Sequence, residues 1–167
     1  AQAGLPVPPG FTITTEACTE YGRQGHIVPV EVWQQALAAL GAVEQARGRR
    51  FGDLDRPLLL SVRSGAKFSM PGMMDTILDL GLTDKTVLGL AKTSGDARFA
   101  YDSYRRLIQM YGKVVLGVDS THFEHALTAA KARAGVHDDV ELDAATLEAL
   151  AGEYKEIVKQ QAGQEFP

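Results

Sequence analysis

Apolar and polar positions follow two periods along the chain. Phe11-Thr12-Ile13-Thr14 alternates apolar with polar and carries β-branched residues, which predicts a short strand. Before it, Leu5-Pro6-Val7-Pro8-Pro9-Gly10 is stiff and extended, because three prolines fix φ and disfavour helix in the residues before them. A short helix is expected from about Glu16 to Arg23, capped by Thr14 or Thr15, with Gly22 and Gly25 helping to end it. Pro29 suits the first turn of the next helix. Trp33, Leu37, Leu40 and Val43 then recur at helical spacing, so one face is apolar until the helix fades by Gly48. Arg49 and Arg50 complement the dipole at its solvated end. Leu58-Leu59-Leu60-Ser61-Val62 is a nearly continuous apolar run after Pro57, read as a buried strand in the same sheet as Phe11–Thr14.

From Thr83 onward strand signals nearly vanish. Thr83 or Asp84 can cap a helix through Leu90. Tyr104, Leu107, Ile108, Tyr111, Val114 and Val115 form a 3.6-period stripe that ends near Gly117. Thr121 and Glu124 form a capping-box pattern for a helix to about Ala134. Asp143 can cap the last helix, with Leu147, Leu150, Tyr154, Ile157 and Val158 on one face. A seam is therefore expected near residues 81–84. The fold class is α+β: an α/β lobe over residues 1–82, then a helical subdomain over residues 83–167.

Composition narrows the function. With 45% apolar and 23% charged residues the chain is of ordinary globular type. A net charge of −4 argues against a nucleic-acid partner that needs a broad basic surface. No apolar run approaches the ~18–20 residues of a membrane span, and Ala1-Gln2-Ala3-Gly4 does not resemble a signal peptide. The one cysteine, Cys18, can form no intramolecular disulfide, which favours a reducing, cytoplasmic setting. It reads as a buried structural thiol, since no His stands near it in sequence.

The chemistry concentrates in Ser61-Val62-Arg63-Ser64-Gly65-Ala66-Lys67-Phe68-Ser69-Met70-Pro71-Gly72-Met73-Met74-Asp75-Thr76. A strand delivers Arg63 and Ser64, and then glycines bracket a polar loop. Glycine lets backbone N–H groups approach a phosphate, and Arg63 can grip phosphate oxygens through two parallel hydrogen bonds. The plainer alternative is a surface loop whose Arg makes an ordinary salt bridge. Met70, Met73 and Met74 read equally well as lid contacts or as packing. Asp75 and Thr76 read as caps of a following helix rather than as nucleotide contacts. His122 and His125 sit three apart beside Glu124 and Asp119, but no third metal ligand is placed, so they read as polar residues of a helix start. Ala91-Lys92-Thr93 lacks the glycines of a phosphate-binding P-loop.

Two stretches carry a resemblance. Gly4-Leu5-Pro6-Val7-Pro8-Pro9-Gly10-Phe11-Thr12-Ile13 is similar to the opening of dikinase nucleotide-binding domains. Ser61 to Thr76, continuing to Leu82, resembles the pyruvate, phosphate dikinase family, with Ser69-Met70-Pro71-Gly72-Met73-Met74-Asp75-Thr76 in the dikinase form. The related phosphoenolpyruvate synthases share the valine-arginine-serine core but usually follow it with an acidic, alanine-rich loop. The resemblance implies an incomplete ATP-grasp-like lobe over residues 1–82 and a helical insertion over residues 83–167. It implies MgATP as ligand, and conversion of ATP, inorganic phosphate and pyruvate into AMP, diphosphate and phosphoenolpyruvate. It also implies a phosphohistidine domain elsewhere in the same polypeptide and a homodimer. Arg63 would bind ATP phosphates, and the Ser69–Met74 loop, with Gly72 and Met73, would close over them. Ser64, Lys67, Met74 and Asp75 are weaker contacts; Lys67-Phe68 stands where many relatives carry Arg and a small residue.

The resemblance also implies what this stretch lacks: a lysine-glycine-alanine-asparagine segment before Gly4, acidic Mg²⁺ ligands beyond Pro167, and a carrier histidine in a glycine-rich, threonine-serine-histidine context. No metal or catalytic residue is therefore assigned here, and the stretch alone is expected to be inactive. A phosphoenolpyruvate synthase-type dikinase and a non-catalytic interaction module remain the alternatives.

Overall fold

The computed structural model describes residues 7–65 and 75–167. It divides into two compact units, Ala1–Arg50 and Phe51–Pro167.

In the first unit, α1 (Thr15–Arg23) follows an extended Thr14 and closes into a left-handed turn at Gly25 and His26, with φ of 68° and 67°. The His26 N–H donates to the Tyr21 carbonyl at 2.9 Å, and the two rings meet edge to face. Helix α2 (Val30–Arg47) starts at Pro29, as expected of a residue with preset φ and no N–H to satisfy. It ends on Gly48 in the left-handed region, where the N–H groups of Gly48 and Arg49 satisfy the Gln45 and Glu44 carbonyls.

One expectation fails here. Phe11–Thr14 is extended but pairs with no strand among the described residues. Alternation fits a strand locally, yet only a neighbouring edge supplies the ladder; instead the segment lines a shallow 190 Å³ cavity with Val32, Ala36 and Ala39 of α2. The apolar face of α2 is also only partly covered within this unit: Val43 is buried, but Trp33 and Leu37 are 59% and 50% exposed.

In the second unit, β1 (Leu60–Arg63) and β2 (Thr76–Leu80) form an antiparallel pair. Four helices follow: α3 (Thr86–Ser94), α4 (Ala97–Val114), α5 (Ser120–Ala134) and α6 (Ala144–Ala162), with a 3₁₀ turn at Asp139–Glu141. The chain is thus α+β. Of the predicted buried strand, Leu58 is buried, whereas Val62 is exposed. Thr76–Leu80 is a strand and not a capped helix. Thr76 and Ile77 are β-branched, they fall opposite Arg63 and Val62, and Ile77 is buried in the core. Between the Leu60–Leu80 and Val62–Ile77 pairs β2 carries one extra residue, and Asp79 takes a left-handed φ of 59° at this bulge.

Aspartates start the three long helices of this unit. The side chains of Asp96, Asp119 and Asp143 accept from the N–H groups of Phe99, Thr121 and Thr146. Asp143 was expected; Asp119 replaces the predicted Thr121–Glu124 box, because it stands one residue before the first helical turn and reaches both the Thr121 N–H and hydroxyl. Helix α3 is entered through Thr83, whose Oγ1 accepts from Thr86 N–H at 3.2 Å while its own N–H donates to Thr86 Oγ1 at 2.8 Å.

Helix α4 is the hub, packed by β2, α3, α5 and α6. Its Ala100, Tyr104, Leu107 and Ile108 join Ile77, Leu82, Val87, Phe123, Leu150, Tyr154 and Val158 in one core. The Tyr154 hydroxyl, inside that core, donates to the Phe123 carbonyl at 3.0 Å. Ile77 and Leu82 share the helical core, and the compact units part at Arg50–Phe51.

Gly89 fits this packing because it has no Cβ: one built there would overlap the Leu54 carbonyl. Gly89→Ala should therefore destabilise the chain by about 1–3 kcal/mol despite its better helix propensity. Gly152→Ala, also inside a helix but with nothing within 4 Å of its Cβ position, should stabilise by about 0.5–1 kcal/mol. Urea unfolding of both variants checks the pair; equal effects would contradict the close approach of residue 54 to α3.

Candidate functional site

The candidate site grows from the free end of the hairpin. Arg63 is the last residue of β1 and faces Thr76 in register. One residue on, the Ser64 N–H donates to the Asp75 carbonyl at 2.9 Å. The Asp75 N–H in turn donates to Ser64 Oγ, also at 2.9 Å. The chain therefore leaves β1 and re-enters β2 through one closed rung. Arg63 is exposed, and its guanidinium makes no ion pair or hydrogen bond among the described residues.

Of the residues expected to bind phosphate, Arg63, Ser64 and Asp75 are thus brought together at this end. Ser69, Gly72 and Met73, with Lys67, Met70 and Met74, lie outside the described residues.

The hairpin is anchored on α4 beneath it. At the bulge, burial raises the Asp79 carboxyl above the usual carboxylate range, opposed in part by the charge of Arg106. Arg106 also bonds Asp102, Nε to Oδ2 at 3.0 Å. The other Asp102 oxygen takes Arg105 at 2.6 Å, a residue only 3% exposed. Burial opposes the charge of Arg105, but Asp102 more than offsets this and holds its pKa above the usual arginine value.

A second polar cluster escaped the sequence reading. Asp84, in the turn before α3, accepts from Lys155 Nζ of α6 at 2.6 Å and from the Tyr104 hydroxyl of α4 at 3.1 Å. The Lys155 hydrogen bond holds the Asp84 carboxyl below its ordinary value. Burial first, then the nearby Asp84 charge, pushes the Tyr104 phenol far up. These residues lie 20 and 71 positions apart, so no local motif could reveal them. Every member is satisfied by the others, which makes the cluster a tie between elements.

Other candidates resolve plainly. Cys18 is exposed, against the expected buried thiol, because α1 buries no residue in its unit. Lys92 pairs with Asp55 at 2.9 Å on the surface. Among the described residues no group of three or more His, Cys, Asp or Glu side chains could hold a metal ion. Also among the described residues, no helix is long and apolar enough to cross a membrane.

No family model matches the chain. Individual relatives do. The pyruvate, phosphate dikinase of Clostridium symbiosum is 53% identical over 165 residues, 98% of this chain and 19% of that protein. That of Rhizobium meliloti is 52% identical over 164 residues, again 98% of the chain and 18% of the relative. A chloroplastic pyruvate, phosphate dikinase 1 of Oryza sativa is 50% identical over 167 residues, 100% of the chain and 18% of the relative. The chain belongs to the pyruvate, phosphate dikinase family. It spans under a fifth of the length of these relatives. The match runs through both the hairpin and the helices that carry it, so the dikinase resemblance of residues 4–16 and 58–82 extends over the helical part as well.

The anchoring of the hairpin has a pH signature. A carboxyl whose folded pKa is raised is a liability fully present above that pKa and relieved as pH falls toward the unfolded value. Asp79→Asn, which also tolerates a left-handed φ, should raise the melting temperature at pH 7. The gain should shrink as pH falls through the raised Asp79 pKa. Melting curves of both proteins from pH 7 to pH 3 test this; a gain that grows at low pH would contradict the assignment.

Proposed function

We propose that the chain supplies the first phosphate-gripping part of a MgATP site in a pyruvate, phosphate dikinase. In this reading the whole enzyme converts ATP, inorganic phosphate and pyruvate into AMP, diphosphate and phosphoenolpyruvate. Residues 1–82 belong to a first ATP-grasp-like lobe and residues 83–167 to its helical insertion. A phosphohistidine domain elsewhere in the polypeptide carries the phosphoryl group, and the enzyme is a cytoplasmic homodimer. Mg²⁺ accompanies ATP and takes its protein ligands outside the described residues.

The observation that carries the reading is Arg63. It stands at the end of β1, whose partner β2 packs on α4, exposed, with no partner for its guanidinium among the described residues. A guanidinium that leaves a paired backbone and is open to solvent can donate two parallel hydrogen bonds to an ATP phosphate, which neutralises charge and positions the group for in-line transfer. Ser69, Gly72 and Met73 complete the grip from the adjoining loop in this proposal. Arg63 binds and orients; no residue here is assigned to proton transfer or covalent chemistry.

Calorimetric titration of the chain with MgATP, beside Arg63→Ala, tests the proposal. Saturable binding weakened at least about tenfold in the variant is expected, as for loss of a hydrogen-bonded charge. Equal binding by both proteins would remove Arg63 from the site. No binding by a chain shown to be folded would mean that this part alone does not make the grip.

A further inference from the structure

We infer that Ser64 is a positioning residue: its hydroxyl closes the last rung of the hairpin and thereby holds Arg63 opposite Thr76. This rests on the phosphate reading of Arg63 and changes the part Ser64 plays in it, from a ligand of the nucleotide to a staple beneath the ligand.

In an ordinary antiparallel rung two residues exchange backbone bonds, each N–H donating to the other's carbonyl. At Ser64 and Asp75 only half of that exchange is made by backbone. Ser64 N–H donates to the Asp75 carbonyl, whereas Asp75 N–H donates to the Ser64 side-chain oxygen. The hydroxyl thus stands in for the Ser64 carbonyl. That substitution lets the main chain turn out of the ladder at Ser64 while the rung stays closed. Serine suits this use, since its short side chain readily bonds backbone near its own position.

The consequence for Arg63 is geometric. The other side of Arg63 is held by the Val62–Ile77 pair, with Ile77 in the core. Without the Ser64 rung, Arg63 would be the frayed end of a four-residue strand. With it, Arg63 lies between two closed pairs, and its side chain leaves from a backbone of fixed direction. A guanidinium must be aimed before it meets a phosphate if the bond is to strengthen binding rather than repay lost freedom. Because Ser64 Oγ already accepts the Asp75 N–H, its use here is internal. Asp75 contributes its backbone, and its carboxylate is not required.

The test uses Ser64→Ala and Ser64→Thr in the 167-residue chain, with near-ultraviolet circular dichroism to confirm that both fold. Amide exchange of Asp75 and the cross-strand proton contact between Arg63 and Thr76 are read by NMR, without nucleotide. Ser64→Ala should speed Asp75 exchange about fivefold, the factor one ordinary hydrogen bond supplies, and weaken the Arg63–Thr76 contact. Ser64→Thr, which keeps the hydroxyl, should restore both. MgATP affinity should fall about threefold to tenfold in Ser64→Ala and recover in Ser64→Thr, a loss smaller than that of Arg63→Ala. Unchanged Asp75 exchange, or an unchanged Arg63–Thr76 contact, in Ser64→Ala overturns the inference. So does wild-type MgATP affinity in a Ser64→Ala protein whose rung is open. Absence of MgATP binding in the unmodified chain, with the exchange pattern as expected, supports the staple and means that this part alone does not make the grip.

Discussion

The second unit depends on the burial of one helix. Helix α4 turns Ala100, Tyr104, Leu107 and Ile108 into a core shared with β2, α3, α5 and α6. The cost of this position is charge: Arg105 sits on the same helix, almost wholly buried, and an unpaired guanidinium there would be prohibitive. Asp102, one turn earlier, removes that cost and also binds Arg106. Close packing supplies the rest. Gly112 lets Phe123 of α5 approach, since a Cβ at that position would stand 2.8 Å from the Phe123 ring.

The hairpin inherits its rigidity from this helix. An isolated two-stranded ribbon is marginal in water, and β1 is only four residues long. It persists because Ile77 is buried in the core of α4 and because Gly81, with φ of 115°, brings β2 back beside the Leu58 carbonyl. The Asp79 bulge lies between these two anchors. A left-handed backbone and a half-buried carboxylate at one position are locally unfavourable, and the packing on both sides imposes them. The free end, at Arg63 and Thr76, lies one pair beyond the buried Ile77 and has its own closure in the Ser64–Asp75 rung.

Helical faces were legible in the sequence because burial on one side imposes a 3.6 period that side chains must obey. The stripe from Tyr104 is in the core through Ile108 and packs against it at Tyr111 and Val114, though Val115 is exposed, and the stripe from Leu147 to Val158 joins it. Strands were less legible, because their decisive partner is remote. Phe11–Thr14 has the alternation but no edge beside it among the described residues, whereas Thr76–Leu80 has the edge, yet its leading Asp75-Thr76 reads in sequence as a helix cap. Caps fall between these cases. Asp143 was readable, but at α5 the choice between Asp119 and Thr121 turned on a single residue of helix phase. At the candidate site Arg63 was placed correctly at a strand end. The use of Ser64 and Asp75 was not readable, since eleven positions separate two groups that meet only when the register of the hairpin is set. Five of the expected phosphate contacts fall outside the described residues, so the structure adds nothing to them.

The contrast between Arg63 and Arg105 explains why residue type alone assigns so little. Both are arginines on elements of the same core. Arg105 is buried and held by Asp102, so its donors are spent on keeping a charge inside the protein. Exposing it to a ligand would require breaking the core that α4 organises. Arg63 is exposed, its backbone is set by two closed pairs, and its donors have no partner among the described residues. A surface guanidinium tied to a neighbouring carboxylate would have to give up that bond before taking a phosphate, and the exchange would return little. One already directed and unpaired has no such bond to give up. The distinction lies in where each side chain's hydrogen bonds already go, and it is why the proposed reading gives the anion to Arg63 rather than to the buried Arg105.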